Sequence, residues 1–211
     1  MTTIHDSVAA SPTPRTQSPL ARLVVALVAA LALTLGVSAP SFAATGAQTG
    51  EWDLLATSAA QSPRLQSYNH ETETWDTVAS PSASFAVGSG KLIDGDDATA
   101  TSPVSGGGVR FHNTASVARS ATFTITVPAG TGLSITDVAS GQVRSVPVSS
   151  ASQTIAITTG SVAAGVEWHR HYTWQFSGSG SSVDLPVSVR VSAVSGGATA
   201  YTASATYRFT F

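Results

Sequence analysis

The sequence predicts an all-β protein: an antiparallel β-sandwich, Ig-like in character, that follows a cleaved signal peptide. In residues 201–211 every odd position is apolar and every even position is polar. Successive side chains of a strand point to opposite faces, so this alternation indicates a long strand with one buried face. Shorter strand patterns precede it, separated by turn residues at the spacing typical of sandwiches. No helical periodicity follows the N-terminal segment.

The first 43 residues have the order of a secretory signal peptide. Arg15 and Arg22 supply positive charge, residues 23–37 are apolar, and Ser41 and Ala43 provide the small residues of a cleavage site. The apolar run is about fifteen residues long, short of the roughly twenty that cross a bilayer. We therefore expect residues 1–43 to be removed, no transmembrane segment in the mature chain, and a secreted, extracellular or cell-surface location.

Residues 44–211 are expected to form a single secreted β-sandwich domain, because this length is ordinary for one domain. The sequence contains no cysteine, which excludes disulfides, thiolate chemistry and cysteine-ligated metals. Charged residues make up only 10% of the chain and the formal net charge is −2. Without a basic patch to neutralise phosphates, nucleic acid is not expected as a partner.

The domain divides into three zones along the chain. Residues 44–80 hold most of the local polarity. Residues 81–108 are rich in Ser and Gly and end in a glycine triplet, which predicts a flexible loop or hinge. From Val109 onward strands and turns alternate. Predicted strands lie at 121–127, around Ile155 and Ile157, at 168–176, at 185–191 and at 201–211.

The strongest local feature is the run 167–176, where His169 and His171 fall on one face of a predicted strand. The opposite face carries aromatic residues and Arg170, and it is expected to be core. Residues i and i+2 lie about 6.6 to 7 Å apart along a strand, so two imidazoles can converge on one ion. Neutral imidazole is a good ligand for zinc. A third ligand must come from another strand or loop, and the candidates are His70, Glu71, His112 and Asp53.

The alternative explanation is a polar strand face that carries two histidines without binding anything. The number and geometry of the ligands decide between these two explanations, and residue spacing alone reveals neither of these properties.

No residue pattern in the chain indicates catalysis, so we predict that the protein is not an enzyme. The Gly-x-Ser-x-Gly nucleophile elbow is absent, and no Lys-Ser/Thr pair follows the glycine triplet. Residues 94–97 begin like a calcium loop but lack the downstream ligands, which favours an acidic surface turn.

Two parts of the chain, one toward each end of the predicted mature domain, carry a family resemblance. His169, His171, Trp174 and Phe176, followed by the closing run 205–209, resemble the actinobacterial surface-anchored domain family, known as choice-of-anchor M or the ABC-transporter-associated repeat. That family typically shows a His-x-His-x-x-Trp-x-Phe run and a closing Ala-Thr-Tyr-x-Phe strand. Near the mature start, residues 50–55 are similar to its opening Gly-His-x-Asp-Leu-Leu, with Glu51 where the family has a histidine.

The resemblance implies a function that composition and spacing do not reveal. Members of the family are cell-surface components encoded beside metal-type ABC transporters. By that resemblance the protein is a non-catalytic module that assists capture of a divalent metal such as zinc. The ligands would be His169, His171, His70 and Asp53. Its partners would be cell-envelope proteins or an ABC transporter component.

Two other functions stay open at this point. The Ser- and Thr-rich surface also suits a structural or adhesive cell-envelope module with no small ligand. The aromatic residues Tyr207, Phe209 and Phe211 at alternating positions resemble the terminal signal of a small outer-membrane β-barrel, although most predicted strands are shorter than such a barrel needs.

Overall fold

The structure is a computed structural model that describes residues 47–57, 64–76, 84–96 and 100–211. The predicted signal peptide, residues 1–43, lies outside the described residues. Within those ranges the chain forms fourteen strands and no helix. The described residues contain no helix that is long and apolar enough to span a membrane.

The strands are β1 (Gly50–Thr57), β2 (Leu65–Asn69), β3 (Thr74–Asp76), β4 (Ser84–Ala86), β5 (Leu92–Ile93), β6 (Val104–His112), β7 (Arg119–Val127), β8 (Gly132–Asp137), β9 (Val143–Val146), β10 (Gln153–Thr158), β11 (Glu167–Arg170), β12 (Tyr172–Ser177), β13 (Ser182–Ala193) and β14 (Thr199–Thr210).

These strands form three sheets. Sheet 1 has the order β11-β6-β1-β2-β3, sheet 2 the order β10-β7-β13-β14-β4, and sheet 3 the order β5-β12-β8-β9. Neighbouring strands are antiparallel except for the pairs β1–β6 and β4–β14. The all-β, antiparallel-dominated sandwich predicted from the sequence is confirmed.

The last strand behaves as its alternation predicts. Tyr207 and Phe209 are fully buried, whereas Thr206, Arg208 and Thr210 on the other face are only partly covered. The same rule holds in β7 and β13, where the valine, leucine, isoleucine and phenylalanine side chains are all buried. Burying every second side chain is what fixes the register of these strands, since a slip of one residue would turn the apolar set toward solvent.

Aromatic rings join the sheets around Phe209. Its ring centroid lies 5.7 Å from that of Phe85 on β4 and 5.2 Å from that of Phe176 on β12. Trp174, also on β12, lies 6.2 Å from the same ring. Sheets 2 and 3 therefore share one aromatic core, and β12 is held against it on its buried face.

The predicted single strand at 168–176 is wrong in one respect. Residues on the N-terminal side of His171 belong to β11 in sheet 1, and those on the C-terminal side belong to β12 in sheet 3. Sandwich corners form where a strand bends and switches sheet. As a consequence Arg170 is exposed and does not join the core aromatics, while Trp168 is only partly buried.

The loop or hinge predicted over residues 81–108 is wrong for three described stretches of that segment, which form strands. It contains β4, β5 and the start of β6, including the whole glycine triplet. Gly107 has a positive φ of 48°, and Trp174 Nε1 donates a hydrogen bond of 2.8 Å to its carbonyl oxygen. A Cβ atom at Gly107 would overlap the carbonyl oxygen of Tyr172. The glycines therefore allow β6 to pass close to β12 rather than forming a loop.

This close approach predicts the result of replacing Gly107. The control is Gly130, which also has a positive φ but whose added Cβ would meet nothing within 4 Å. Gly130→Ala should cost about 1–2 kcal/mol through its left-handed conformation alone. Gly107→Ala should cost about 1–3 kcal/mol more, because the methyl group overpacks the interface between β6 and β12. Urea denaturation of both variants measures the difference, and equal losses would contradict the close approach.

Candidate metal centre

Asp53 lies at an irregular point in the middle of sheet 1. Its strand β1 runs between β2 and β6, and the β1–β6 pairing shifts register on both sides of Asp53. Such irregularities re-aim a side chain relative to its neighbours in a strand. The Asp53 side chain is fully buried. An ionisable group in this position must find its partners within the protein.

Three histidines meet this carboxylate. Nε2 of His169 lies 2.7 Å and Nε2 of His70 lies 3.1 Å from Asp53 Oδ1. The ring of His171 is centred 4.6 Å from that of His169 and 6.1 Å from that of His70. One ligand atom from each of these four residues falls within 4.8 Å of all the others. We call these four residues the Asp–His cluster.

Three separate segments of the chain supply the Asp–His cluster. Asp53 comes from β1 and His70 from the turn that follows β2, where its backbone N–H donates to the carbonyl of Glu51. His169 lies on β11, which pairs with β6. His171 lies at the point where the chain passes from β11 to β12. The switch between sheets brings the two histidine rings of the His-x-His motif together.

All four residues proposed as ligands from the sequence meet here, and the other two candidates do not. Glu71 is exposed in the β2–β3 turn, where its backbone N–H binds Asn69 Oδ1. His112 lies at the end of β6, opposite Glu167. Neither belongs to the Asp–His cluster.

The described part of the predicted acidic turn, residues 94–96, contacts His171 through Gly95. Its residue Gly95 turns its carbonyl oxygen toward Nδ1 of His171, at 3.3 Å. A Cβ atom at Gly95 would lie 2.6 Å from the backbone carbon of Tyr172. The turn therefore packs directly behind the His171 ring.

Each of three cluster residues has an outer partner that orients it. Arg110 Nε donates to Asp53 Oδ2 at 2.5 Å, and Glu51 Oε1 lies 3.3 Å from His70 Nδ1. The Gly95 carbonyl does the same for His171. For His70, Nδ1 therefore faces Glu51 while Nε2 faces Asp53. Outer partners of this kind fix ring orientation in metal sites.

Sequence reasoning missed Arg110 and the reason for the glycine triplet. Arg110 follows the triplet within β6, one strand away from Asp53. Gly108 lies opposite Asp53, and a Cβ atom there would overlap Asp53 Oδ1 and come within 3.1 Å of His169 Nε2. The only available signal was a run of three glycines followed by a strand with a single arginine.

The electrostatics keep the carboxylate ionised. Burial acts to raise the pKa of Asp53, but its contacts with His169 and His70 and the charge of Arg110 outweigh burial and hold the pKa well below its usual range. For His70 the contact with Asp53 is the largest influence, and it raises the pKa above the ordinary value in spite of burial. Asp53 therefore keeps its negative charge at the centre of the cluster, where it attracts cations.

The donor set suits a transition metal. His70 Nε2 is buried and, although near Asp53, has no hydrogen bond of acceptable geometry. A buried nitrogen without a well-aligned hydrogen bond carries a free-energy cost, which coordination to a metal ion would relieve. Three imidazoles and a carboxylate match zinc and its neighbours, whereas calcium and magnesium require mainly oxygen ligands.

The fold and the cluster define the protein as an all-β module with a histidine-rich, anionic site. A comparison of the chain with protein-family models finds no match, and neither the curated proteins nor the solved structures include a significant match.

The raised pKa of His70 predicts the pH dependence of the metal-free protein. A histidine whose folded pKa is raised contributes stability that is fully present below its unfolded pKa of about 6.5 and is lost as pH rises through the folded value. The wild type should therefore exceed His70→Gln in free energy of unfolding by more at about pH 5.5 than at about pH 9. Urea denaturation in the presence of a chelator measures both. A difference that grows with pH would contradict the Asp53–His70 interaction.

Proposed function

We propose that the protein is a non-catalytic binding module that captures a divalent transition metal, zinc foremost, as its cargo. The observation that carries the proposal is that a carboxylate oxygen of Asp53 and one ring nitrogen from each of three histidines lie within 4.8 Å of one another. The histidines reach the surface, since the side chains of His70 and His169 are 21% and 26% exposed. A cation can therefore approach from solvent while the carboxylate stays buried.

Asp53 and the three histidines contribute differently to metal binding. Asp53 supplies the negative charge, and its buried position strengthens its attraction for a cation. The three histidines supply neutral nitrogen donors, so each must be deprotonated when the metal binds. Zinc would replace the protons that the metal-free cluster shares between Asp53 and the histidines. Binding should consequently release protons and weaken in acid.

The wider role rests on the family resemblance. The two resembling segments, 50–55 and 168–176, are distant in sequence, yet they supply Asp53 and the His-x-His pair to one cluster. This convergence favours the surface-anchored domain family and, with it, metal capture on the secreted or cell-surface side. In that role the protein assists an ABC transporter component or another cell-envelope protein.

A structural module is the second candidate, and one observation favours it. Asp53 already joins Arg110 of β6 and His169 of β11 through direct contacts that need no metal. The cluster alone could thus serve to fasten three strands of sheet 1. The two candidates differ in a measurable way, since only the metal-binding module is stabilised by zinc.

Calorimetric titration of the purified, metal-free protein with zinc tests the proposal. We expect one equivalent to bind and, at a free concentration 100 times the dissociation constant, to raise the free energy of unfolding by about 2.7 kcal/mol. His169→Ala and His171→Ala should each weaken binding by at least about 100-fold, beyond the 10- to 100-fold effect typical of outer partners.

The matched control for these variants is His112→Ala. His112 is partly buried on β6 in the same sheet but outside the Asp–His cluster. Its replacement should leave zinc affinity unchanged. A wild-type protein whose stability is the same with and without zinc would refute metal capture and favour the structural module.

A further inference from the structure

We infer that Arg110 determines which metals the site accepts, by holding one oxygen of Asp53 so that the carboxylate can offer only the other. This inference rests on the proposed function, since it concerns the selectivity of the same site. It assigns to Arg110 a specificity-determining role and to the site a preference for nitrogen-seeking transition metals over hard, oxygen-seeking cations such as Mn²⁺ and Ca²⁺.

Arg110 is fixed on several sides. Its Nε donates to Asp53 Oδ2 at 2.5 Å and its Nη1 to Glu167 Oε2 at 3.3 Å. The guanidinium carbon lies 4.3 Å from the ring centroid of Tyr68 and 6.0 Å from that of Trp75. The side chain is only 13% exposed. A planar guanidinium stacked on an aromatic ring and paired at both ends has little freedom to leave the carboxylate.

The two oxygens of Asp53 therefore have different roles. Oδ1 faces His70 and His169, while Oδ2 faces Arg110. A metal that binds among the histidines finds a carboxylate that can coordinate through Oδ1 alone. Gly108 reinforces this arrangement, because the absence of a Cβ leaves Oδ1 the space that it occupies.

Coordination chemistry turns this geometry into selectivity. Zinc is satisfied by four ligands, and three histidines with one carboxylate oxygen provide four. Hard cations take six to eight ligands, mainly oxygens, and often use both oxygens of a carboxylate. Within the described Asp–His cluster the only second oxygen is the one that Arg110 holds. Releasing Oδ2 would add an oxygen ligand and should improve the binding of hard cations relative to zinc.

The positive charge of Arg110 has a second effect, which a suitable control separates from the first. Removing a nearby positive charge strengthens the binding of every divalent cation. The affinity for a single metal is therefore uninformative, whereas the ratio of the affinities for two metals reports selectivity. Arg170 provides the matched control. It lies between His169 and His171 in sequence and carries the same charge, but it is exposed. Its backbone pairs with that of Val109 on β6.

The experiment measures the dissociation constants of the purified protein for Zn²⁺ and Mn²⁺ in the wild type, Arg110→Met, Arg110→Gln and Arg170→Met. We expect the ratio of the Mn²⁺ constant to the Zn²⁺ constant to fall by about tenfold or more in Arg110→Met, the lower end of the effect of an outer partner. Arg110→Gln should lower it by less than Arg110→Met does, because its amide can still donate to Oδ2. Arg170→Met should leave it unchanged, even if both metals bind somewhat more tightly.

Two results would overturn the inference without touching the proposed function. The first is a ratio of the Mn²⁺ to the Zn²⁺ dissociation constant that stays at the wild-type value in Arg110 variants that still bind zinc. The second is an equal fall of this ratio in Arg170→Met, which would show that charge alone is responsible. A wild type that binds no zinc would overturn the proposed function, and the inference with it. Arg110→Met leaves Asp53 Oδ2 without its donor and can destabilise the fold. Arg110→Gln is included because its amide can still donate to Oδ2, so this variant is expected to stay folded. Circular dichroism identifies the variants that remain folded.

Discussion

The structure of the site depends on one buried, ionised carboxylate. Asp53 is fully buried in the middle of a sheet, where a charge without partners would be prohibitively costly. Arg110 donates to one of its oxygens, and ring nitrogens of His169 and His70 lie 2.7 and 3.1 Å from the other. Removing a partner would leave an uncompensated buried charge. The carboxylate and its partners therefore stabilise one another's positions. Gly108 completes the arrangement by giving the carboxylate room.

The core of the sandwich supplies the accuracy that this site needs. Trp174 packs in the aromatic core with its ring against Phe209, and its indole N–H binds the backbone of Gly107, next to the glycine that faces Asp53. The strand that contains Trp174 begins directly after His171. Core packing thus sets where β6 and the His-x-His motif lie relative to each other. A site built on rigid strands holds its ligands more accurately than one built on loops.

Period-two alternation made much of the fold predictable, because burying one face of a strand leaves a direct trace in the sequence. The convergence of His169 and His171 was predictable for the same reason, and the sequence offered Asp53 and His70 as candidates for a further ligand. The switch of sheets at His171 was not, since no proline or glycine marks it. The role of Arg110 was hidden as well, because Asp53 lies 57 residues away and only the register between β1 and β6 brings them together.

X-ray absorption spectroscopy of the protein loaded with one equivalent of zinc tests the central claim most directly. The claim is that a single carboxylate oxygen and three imidazole nitrogens hold the metal. It predicts a shell of four nitrogen or oxygen ligands at about 2.0–2.1 Å, with the outer-ring scattering of three imidazoles. A shell of six oxygens without imidazole scattering, as for hydrated zinc, would contradict it and would leave the Asp–His cluster as an ion-pair network that fastens the strands of sheet 1.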